Sequence, residues 1–274
     1  RPLWQFDPLQ GHENSGSANV WAAMSVDEAN GLLYLPTSAP SPDYYGAARP
    51  GNNLYANSIV AVDLYSGEVR WHFQHVRHDL WDYDSPAQPI LFQWNKNGES
   101  IPAVAQLTKQ GFVFVFNRLT GESLWEITEQ PVPPSQIPGE MTSPTQPKPI
   151  APPQLLNPFL MPGDAWGLTP WDRGHCKKQL ASLHNLGLFT PTSETLTLMY
   201  PGSLGGANWG GGALLADSGV LLVNVNNIAF SGQLIPIPED FDPATGKQDH
   251  PAAGHRMRVT MDGTPYDIEI GSLQ

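Results

Sequence analysis

The densest group of chemically capable side chains is the stretch 78–84, which reads His-Asp-Leu-Trp-Asp-Tyr-Asp. Three carboxylates and an imidazole so close together suit a general base or a metal site. Trp81 and Tyr83 stand between the carboxylates and offer an apolar surround that would desolvate them. Pro86 and Pro89 stiffen the chain that follows. A solvated turn is the alternative interpretation, because Asp is common in exposed turns.

Short strands are the elements that would position such a site. Apolar or β-branched runs bounded by Gly, Asn, Asp and Pro predict strands at 32–35, 58–62, 112–116 and 221–223. The 26 glycines, 28 prolines and 9 tryptophans suit many turns between short strands. No segment has a convincing helical stripe, and the best candidate, 178–186, is short. The predicted fold class is all-β.

An internal repeat indicates how these strands are assembled. Residues 61–71 align with 115–125 as small or apolar, x, Asp/Asn, x, x, Ser/Thr, Gly, x, x, x, Trp. The pattern predicts two strands joined by a tight turn, closed by a tryptophan that packs on a neighbouring unit. The spacing of 54 residues is close to one four-stranded propeller blade. Trp71 and Trp125 should then be buried equivalently in adjacent blades. A chance pair of hairpins is the weaker alternative.

Composition excludes several partners and sites. The net charge of −12 argues against nucleic acid and anionic membranes, because both are bound through basic patches. Cys176 is the only cysteine, so the chain has no intrachain disulfide and no cysteine-based zinc site. No stretch of 18 or more apolar residues occurs, so no membrane span is predicted.

Two segments depart from the strand pattern. Proline is dense in 131–170, which predicts an ordered excursion rather than regular strand. The segment from Pro236 onward is polar and turn-rich, and we expect no closing strand in it. Residues 4–6 resemble 71–73, the end of one repeat copy. The expectation is therefore that 1–274 is part of a single propeller domain, truncated at both ends.

The stretch 78–89 closely resembles a motif of the membrane-associated pyrroloquinoline quinone (PQQ)-dependent glucose and quinate dehydrogenases. The repeat resembles the tryptophan-docking motif of the same superfamily. Further similar stretches extend the resemblance over most of the chain: 18–21, 34–37, 41–46, 55–58 and 206–211. The resemblance implies an eight-bladed β-propeller, of which this chain covers roughly half. It also implies a periplasmic protein whose membrane association involves only parts absent from this chain.

The resemblance assigns site residues as well. Asp82 would be the general base that takes the hydroxyl proton of the substrate as hydride passes to the quinone. Lys109 would hydrogen-bond the quinone oxygens, and a cation there would stabilise the developing oxyanion. Trp21 would form the floor under PQQ, and Asn208 and Trp209 lie in a Gly-rich loop that would face the cofactor. For the tryptophans, ordinary core packing is the alternative.

A calcium site is also implied, with Asn19, Asp43 and Asp82 as ligands. Asn and Asp oxygens suit this hard cation, although both residue types are common in turns. Arg77 stands where the related enzymes often have a second histidine. An acidic calcium ligand that the resemblance implies has no candidate in this sequence, so we expect the chain alone to be inactive.

The function implied is oxidation of a sugar, polyol or cyclic hydroxy acid with PQQ and calcium, with electrons passed to ubiquinone or another quinone. A non-catalytic propeller scaffold with the same tryptophan repeat is one alternative, and a carbohydrate-binding propeller is another. The combination of 78–89 with Lys109 favours the enzyme, because a scaffold has no reason to keep it. We expect the side chains of Asp82 and Lys109 to reach one cavity from successive strands.

Overall fold

A computed structural model describes residues 2–11, 15–96, 98–238 and 256–273, and within those ranges the protein consists mainly of short strands. In chain order the strands are β1 (Gly16–Ser17), β2 (Ser25–Asp27), β3 (Leu32–Pro36), β4 (Pro40–Ser41), β5 (Ser58–Asp63), β6 (Val69–Gln74), β7 (Ile90–Lys96), β8 (Glu99–Leu107), β9 (Val113–Asn117), β10 (Ile127–Pro131), β11 (Thr145–Pro149), β12 (Thr197–Met199), β13 (Gly212–Leu215), β14 (Val220–Val223), β15 (Phe230–Pro236), β16 (Met257–Val259) and β17 (Tyr266–Ser272). A 3-10 turn, Pro162–Asp164, precedes the α-helix α1 (Pro170–Ser182). No helix in the described ranges is long and apolar enough to cross a bilayer.

The strands form small antiparallel sheets. The order is β2-β3-β5-β6 in the first large sheet, β7-β8-β9 in the second and β12-β15-β17-β16 in the third. Pairs β1-β4, β10-β11 and β13-β14 complete the set within the described chain. The four strands predicted from apolar runs are confirmed as β3, β5, β9 and β14.

The first two large sheets pack face to face through an aromatic core. The phenyl rings of Phe114 and Phe116, on β9, lie 5.1 and 4.9 Å from the ring of Phe73, on β6. Tyr34 and Ile59 of the first sheet are fully buried in the same cluster. Such large apolar side chains supply most of the free energy that holds two sheets together.

The two copies of the repeat form the same turn. Gly67 donates its N–H to the Asp63 carbonyl at 2.9 Å, and Gly121 donates to Asn117 at 2.9 Å. The side chains of Asp63 and Asn117 each accept the N–H two residues on, at 3.0 and 2.9 Å. The glycine φ angles are +75° and +76°. The Asp/Asn and Gly of the repeat are therefore required by the turn itself.

Tryptophan docking joins one copy of this turn to the next. The indole N–H of Trp4 donates to the Leu64 carbonyl at 3.0 Å, and that of Trp71 donates to the equivalent Arg118 carbonyl at 2.9 Å. Trp125 differs, because it is half-buried and packs on Trp94 with ring centroids 5.1 Å apart. The predicted equivalence of Trp71 and Trp125 is therefore wrong for Trp125, which packs on an indole of its own sheet rather than on a repeat turn.

Gly121→Ala tests this docking. A Cβ on Gly121 would lie 2.8 Å from the ring of Trp71, whereas one on Gly263, at the same φ of +76°, meets nothing within 4 Å. We expect Gly121→Ala to lose about 1–3 kcal/mol more stability than Gly263→Ala, because only the former overpacks an interface. Denaturant unfolding of both variants measures the difference, and equal losses would show that the indole does not need this glycine.

Three features differ from the sequence-based expectations. The helix α1 starts eight residues before the segment 178–186; its signal is the Thr169 cap, which accepts the Asp172 N–H. Only Leu180 of α1 is buried, so the helix has no apolar stripe that would predict it from the sequence. Strand β11 lies inside the proline-rich excursion, and β16 and β17, which follow Pro236, both belong to the third sheet. The alternation Tyr-Asp-Ile-Glu-Ile at 266–270 is a sequence pattern typical of a strand, and it lies within β17.

Candidate active site

Loops at one end of the first two sheets bring the predicted residues together. Asp43 lies between β4 and β5, Asp82 between β6 and β7, and Lys109 in the turn between β8 and β9. The expectation that Asp82 and Lys109 come from strands is therefore wrong, although the strands do fix the ends of their loops. Loop residues can take backbone conformations that a ladder of strand hydrogen bonds forbids.

Asp79 organises the loop that carries Asp82. Its buried carboxylate accepts the N–H of Trp81 at 2.8 Å, the N–H of Tyr83 at 2.7 Å and the side-chain amide of Asn57 at 2.7 Å. The backbone turns sharply there, and Asp82 adopts a φ of +56°, which Asp tolerates better than most residues. Burial raises the pKa of Asp79 to about 6, against the opposing effect of these hydrogen bonds. Asp79 is thus a structural carboxylate that orients Asp82.

Two aromatic residues anchor the loop from the other side. The indole of Trp81 donates to the Thr190 carbonyl at 2.8 Å, and the Tyr83 hydroxyl donates to the Pro201 carbonyl at 2.9 Å. Both rings are 2% exposed and pack around Phe189. The predicted apolar surround therefore exists, and it also pins the loop to a segment more than a hundred residues away.

Lys109 is the cation of this site. Its Nζ donates to the Asp82 carbonyl at 2.7 Å and to Asp84 Oδ2 at 2.7 Å, and lies 3.3 Å from Asp82 Oδ1. The lysine side chain is 4% exposed, that of Asp84 12% and that of Asp82 25%. Asp84, which had no role in the sequence-based assignment, is thus the closer carboxylate. The other carboxylate oxygen of Asp84, Oδ1, accepts the Ala39 N–H at 2.6 Å.

The electrostatics suit proton transfer at Asp82. Burial raises its pKa well above the usual value; Lys109 opposes this, while Asp84 and Asp43 add to it by like-charge repulsion. The pKa of Asp43 is raised by burial and then by Asp84. Burial alone would lower the pKa of Lys109, but the attraction of Asp82 and Asp84 raises it. A carboxylate with a raised pKa accepts a proton more readily, as a general base requires.

The side chains around Lys109 offer oxygen atoms of the kind that a divalent cation such as calcium binds. Three carboxylates, of Asp43, Asp82 and Asp84, act on one another electrostatically, and Lys109 neutralises only one charge. Asn19 is exposed, and its Oδ1 accepts from the Ser38 hydroxyl at 3.2 Å. The structure forms no ready-made group of three or more His, Cys, Asp or Glu ligands in the described ranges. Calcium would therefore draw on amide and carbonyl oxygens as well.

The two predicted cofactor tryptophans share one cavity. Trp21 and Trp209, 50% and 78% exposed, line a space of about 390 Å³ together with Pro86 and Gln88. Exposed indoles that line one cavity provide a stacking surface for a planar ring system.

Asn208 holds the backbone of the loop that carries Trp209. It is buried; its Oδ1 accepts the Trp209 N–H at 2.8 Å, and its Nδ2 donates to the Ser203 carbonyl at 3.3 Å. The loop lies directly on Lys109, because a Cβ on Gly206 would be 1.9 Å from the Lys109 carbonyl oxygen. The loop that carries Trp209 therefore contacts the backbone of Lys109, although neither Asp82 nor Lys109 lines the cavity of the two tryptophans.

Comparisons with known proteins agree with this arrangement. The family model "PQQ: Glucose/ethanol/alcohol dehydrogenase, beta-propeller domain" matches residues 1–274. The chain belongs to this family of quinoprotein β-propeller domains, as the resemblance of 78–89 predicted.

Several curated relatives are similar over nearly the whole chain. The glycerol dehydrogenase large subunit of Gluconobacter oxydans is 37% identical over 94% of this chain and 36% of its own length. The quinate/shikimate dehydrogenase (quinone) of Acinetobacter baylyi is 36% identical over 97% and 34%. The quinoprotein glucose dehydrogenase of Escherichia coli is 36% identical over 98% and 35%. The chain thus spans about a third of the length of these relatives.

Solved structures share the fold at lower identity. A quinohemoprotein alcohol dehydrogenase from Comamonas testosteroni has a TM-score of 0.52 and 23% identity, covering 80% of this chain and 27% of its own. A europium-containing methanol dehydrogenase has a TM-score of 0.56 and 19% identity, covering 93% and 34%. At these identities the likeness shows the propeller-type fold alone.

Proposed function

We propose that this chain is part of an eight-bladed periplasmic propeller that oxidises a sugar, polyol or cyclic hydroxy acid with PQQ and calcium. The electrons would pass to ubiquinone or another quinone. The observation that carries the proposal is the Lys109–Asp82–Asp84 cluster, in which Lys109 is buried and contacts the loop that carries Trp209. The curated relatives named for glycerol, quinate/shikimate and glucose support this class of substrate.

The residues have distinct roles in this reaction. Asp82, partly exposed and with a raised pKa, takes the hydroxyl proton of the substrate. Lys109 would supply a positive charge beside an oxygen that gains negative charge, and Trp21 and Trp209 would offer a stacking surface to a planar ligand. When bound, PQQ supplies a two-electron acceptor and calcium supplies Lewis acidity. Asp43 and Asp82, with Asn19, are the proposed calcium ligands of this chain.

A scaffold or a carbohydrate-binding propeller is disfavoured by the same cluster. Burying carboxylates beside one another costs free energy, and neither alternative needs the pKa of Asp82 to be raised. No comparable feature of the described residues favours either alternative.

Reconstitution of the full-length protein tests the proposal. We expect PQQ with calcium to give a bound-quinone absorption band and dye-linked oxidation of at least one of glycerol, quinate and glucose. Calcium omission should abolish turnover. A protein that binds PQQ and oxidises none of these alcohols, nor ethanol, would contradict the proposed activity and favour the scaffold. Recovery of the protein outside the periplasmic fraction would contradict the proposed location.

A further inference from the structure

Glu140, which comes from the proline-rich excursion, lies buried against the two loops that carry Asp43 and Asp82. Its Oε1 lies within hydrogen-bond distance of His78 Nε2, at 2.7 Å, and accepts the Met141 N–H at 2.9 Å, and its Oε2 accepts the Gly46 N–H at 2.5 Å. The side chains of Glu140 and His78 are 3% and 5% exposed. Neither the motif 78–89 nor the proposed reaction assigns a role to Glu140.

Both ring nitrogens of His78 are engaged in hydrogen bonds. Its Nδ1 faces the Gly51 carbonyl oxygen at 2.8 Å, and its Nε2 faces Glu140 Oε1. A carbonyl only accepts, and Glu140 already accepts two backbone N–H groups, as an ionised carboxylate does. Nδ1 of His78 therefore carries a hydrogen, and a second hydrogen between Nε2 and Glu140 Oε1 joins the two buried side chains. Burial alone would raise the pKa of Glu140, but His78 and Gly46 hold it below its usual value.

The Glu140–His78 pair joins the loop that carries Asp43 to the loop that carries Asp82. Gly46 follows Asp43 by three residues, and a Cβ on Gly46 would lie 2.6 Å from His78 Nε2, so the loop passes directly over the imidazole. Arg49 makes a second contact between the same two loops. Arg49 donates to the Asp79 carbonyl and, at 2.8 Å, to the Pro42 carbonyl. The Asp43 loop and the Asp82 loop are therefore held together on both sides of Asp43, and we call this set of contacts the clamp.

The clamp lies at a part of the Asp82 loop where the backbone is strained. His78 and Asp82 both adopt left-handed conformations, with φ of +48° and +56°. Such conformations in non-glycine residues persist where surrounding contacts over-determine them, and they cluster at functional sites. Glu140 supplies such a contact at His78, which lies four positions before Asp82.

We propose that Glu140 and His78 are a positioning pair that holds the Asp43 loop and the Asp82 loop in one fixed relation. The inference rests on the proposed function for its kinetic consequence. The pair itself touches neither the substrate nor the proposed metal ligands. It would act by keeping Asp43 and Asp82 at the separation that the proposed calcium site needs.

The test uses Glu140→Gln, His78→Asn and the double variant in the full-length PQQ enzyme. Asn tolerates the left-handed backbone at position 78, and Gln keeps the shape of Glu140. We expect kcat/KM to fall about 10–100-fold in each single variant, as small misplacements of reacting groups do. The calcium concentration for half-maximal PQQ loading should rise in parallel. The double variant should be no worse than the poorer single variant, because both remove one interaction.

Glu129→Gln is the matched control. It breaks the partly exposed ion pair of Arg77, the residue beside His78, with 2.7 Å between Nη2 and Oε1. This variant should leave kcat/KM and calcium loading within about twofold, since exposed pairs contribute little. Multiplicative losses in the double variant, or equal losses in Glu129→Gln, would overturn the positioning role.

Hydrogen exchange separates this proposal from the proposed function. The Gly46 N–H donates to Glu140, so peptides covering 43–51 should exchange at least about tenfold faster in Glu140→Gln and unchanged in Glu129→Gln. If wild-type protein shows no oxidation but this exchange pattern holds, the proposed reaction fails and the clamp stands. Unchanged exchange in Glu140→Gln would overturn the clamp whatever the activity.

Discussion

Asp82→Asn is expected to lower kcat about 10²–10⁴-fold in the full-length enzyme, the range that a positioned general base contributes. The substitution keeps the size of the side chain, and Asn tolerates the φ of +56° as well as Asp does. Lys109 also keeps two of its three partners, the Asp82 carbonyl and Asp84 Oδ2, both at 2.7 Å. The loss should therefore reflect basicity and not collapse of the site.

Two measurements make this result specific. Single-turnover reduction of bound PQQ by substrate should slow as much as kcat, while the absorption band of bound PQQ stays present. Asp217→Asn, in the exposed turn between β13 and β14, is the control and should leave both rates unchanged. Turnover within about threefold of wild type in Asp82→Asn would remove this residue from the proton-transfer step.

Local chemistry explains why the repeat was predictable from sequence. Its Asp or Asn accepts an N–H two residues on, and its Gly adopts a positive φ, so both are dictated by neighbouring backbone. The same holds for strands β3, β5 and β9, whose apolar runs are nearly fully buried. The family followed from 78–89, because twelve successive residues carry a specific pattern.

Long-range contacts explain what the sequence did not reveal. Glu140 stands 62 residues from His78, in a proline-rich segment whose composition says nothing about burial. Asp84 was visible in the motif, but its closer approach to Lys109 depends on how the loop turns at Asp82. Trp125 obeys the repeat pattern and yet packs on Trp94, because docking depends on the unit it meets and not on its own residues.

Lys109→Met is expected to destabilise the metal-free protein by about 3–5 kcal/mol, the cost of removing one partner of a buried ion pair. Methionine fills a similar volume, so the loss is electrostatic. Asp82 and Asp84 would then face each other without a cation, and burial already raises the pKa of Asp82. Adding Asp84→Asn should recover part of the stability, because one of the two uncompensated charges disappears.

Arg70→Met, which breaks an exposed pair with Asp63, is the control and should have little effect on stability. Denaturant unfolding in calcium-free buffer measures all three variants. A loss below about 1 kcal/mol in Lys109→Met would mean that water solvates these carboxylates, and that burial does not raise the pKa of Asp82.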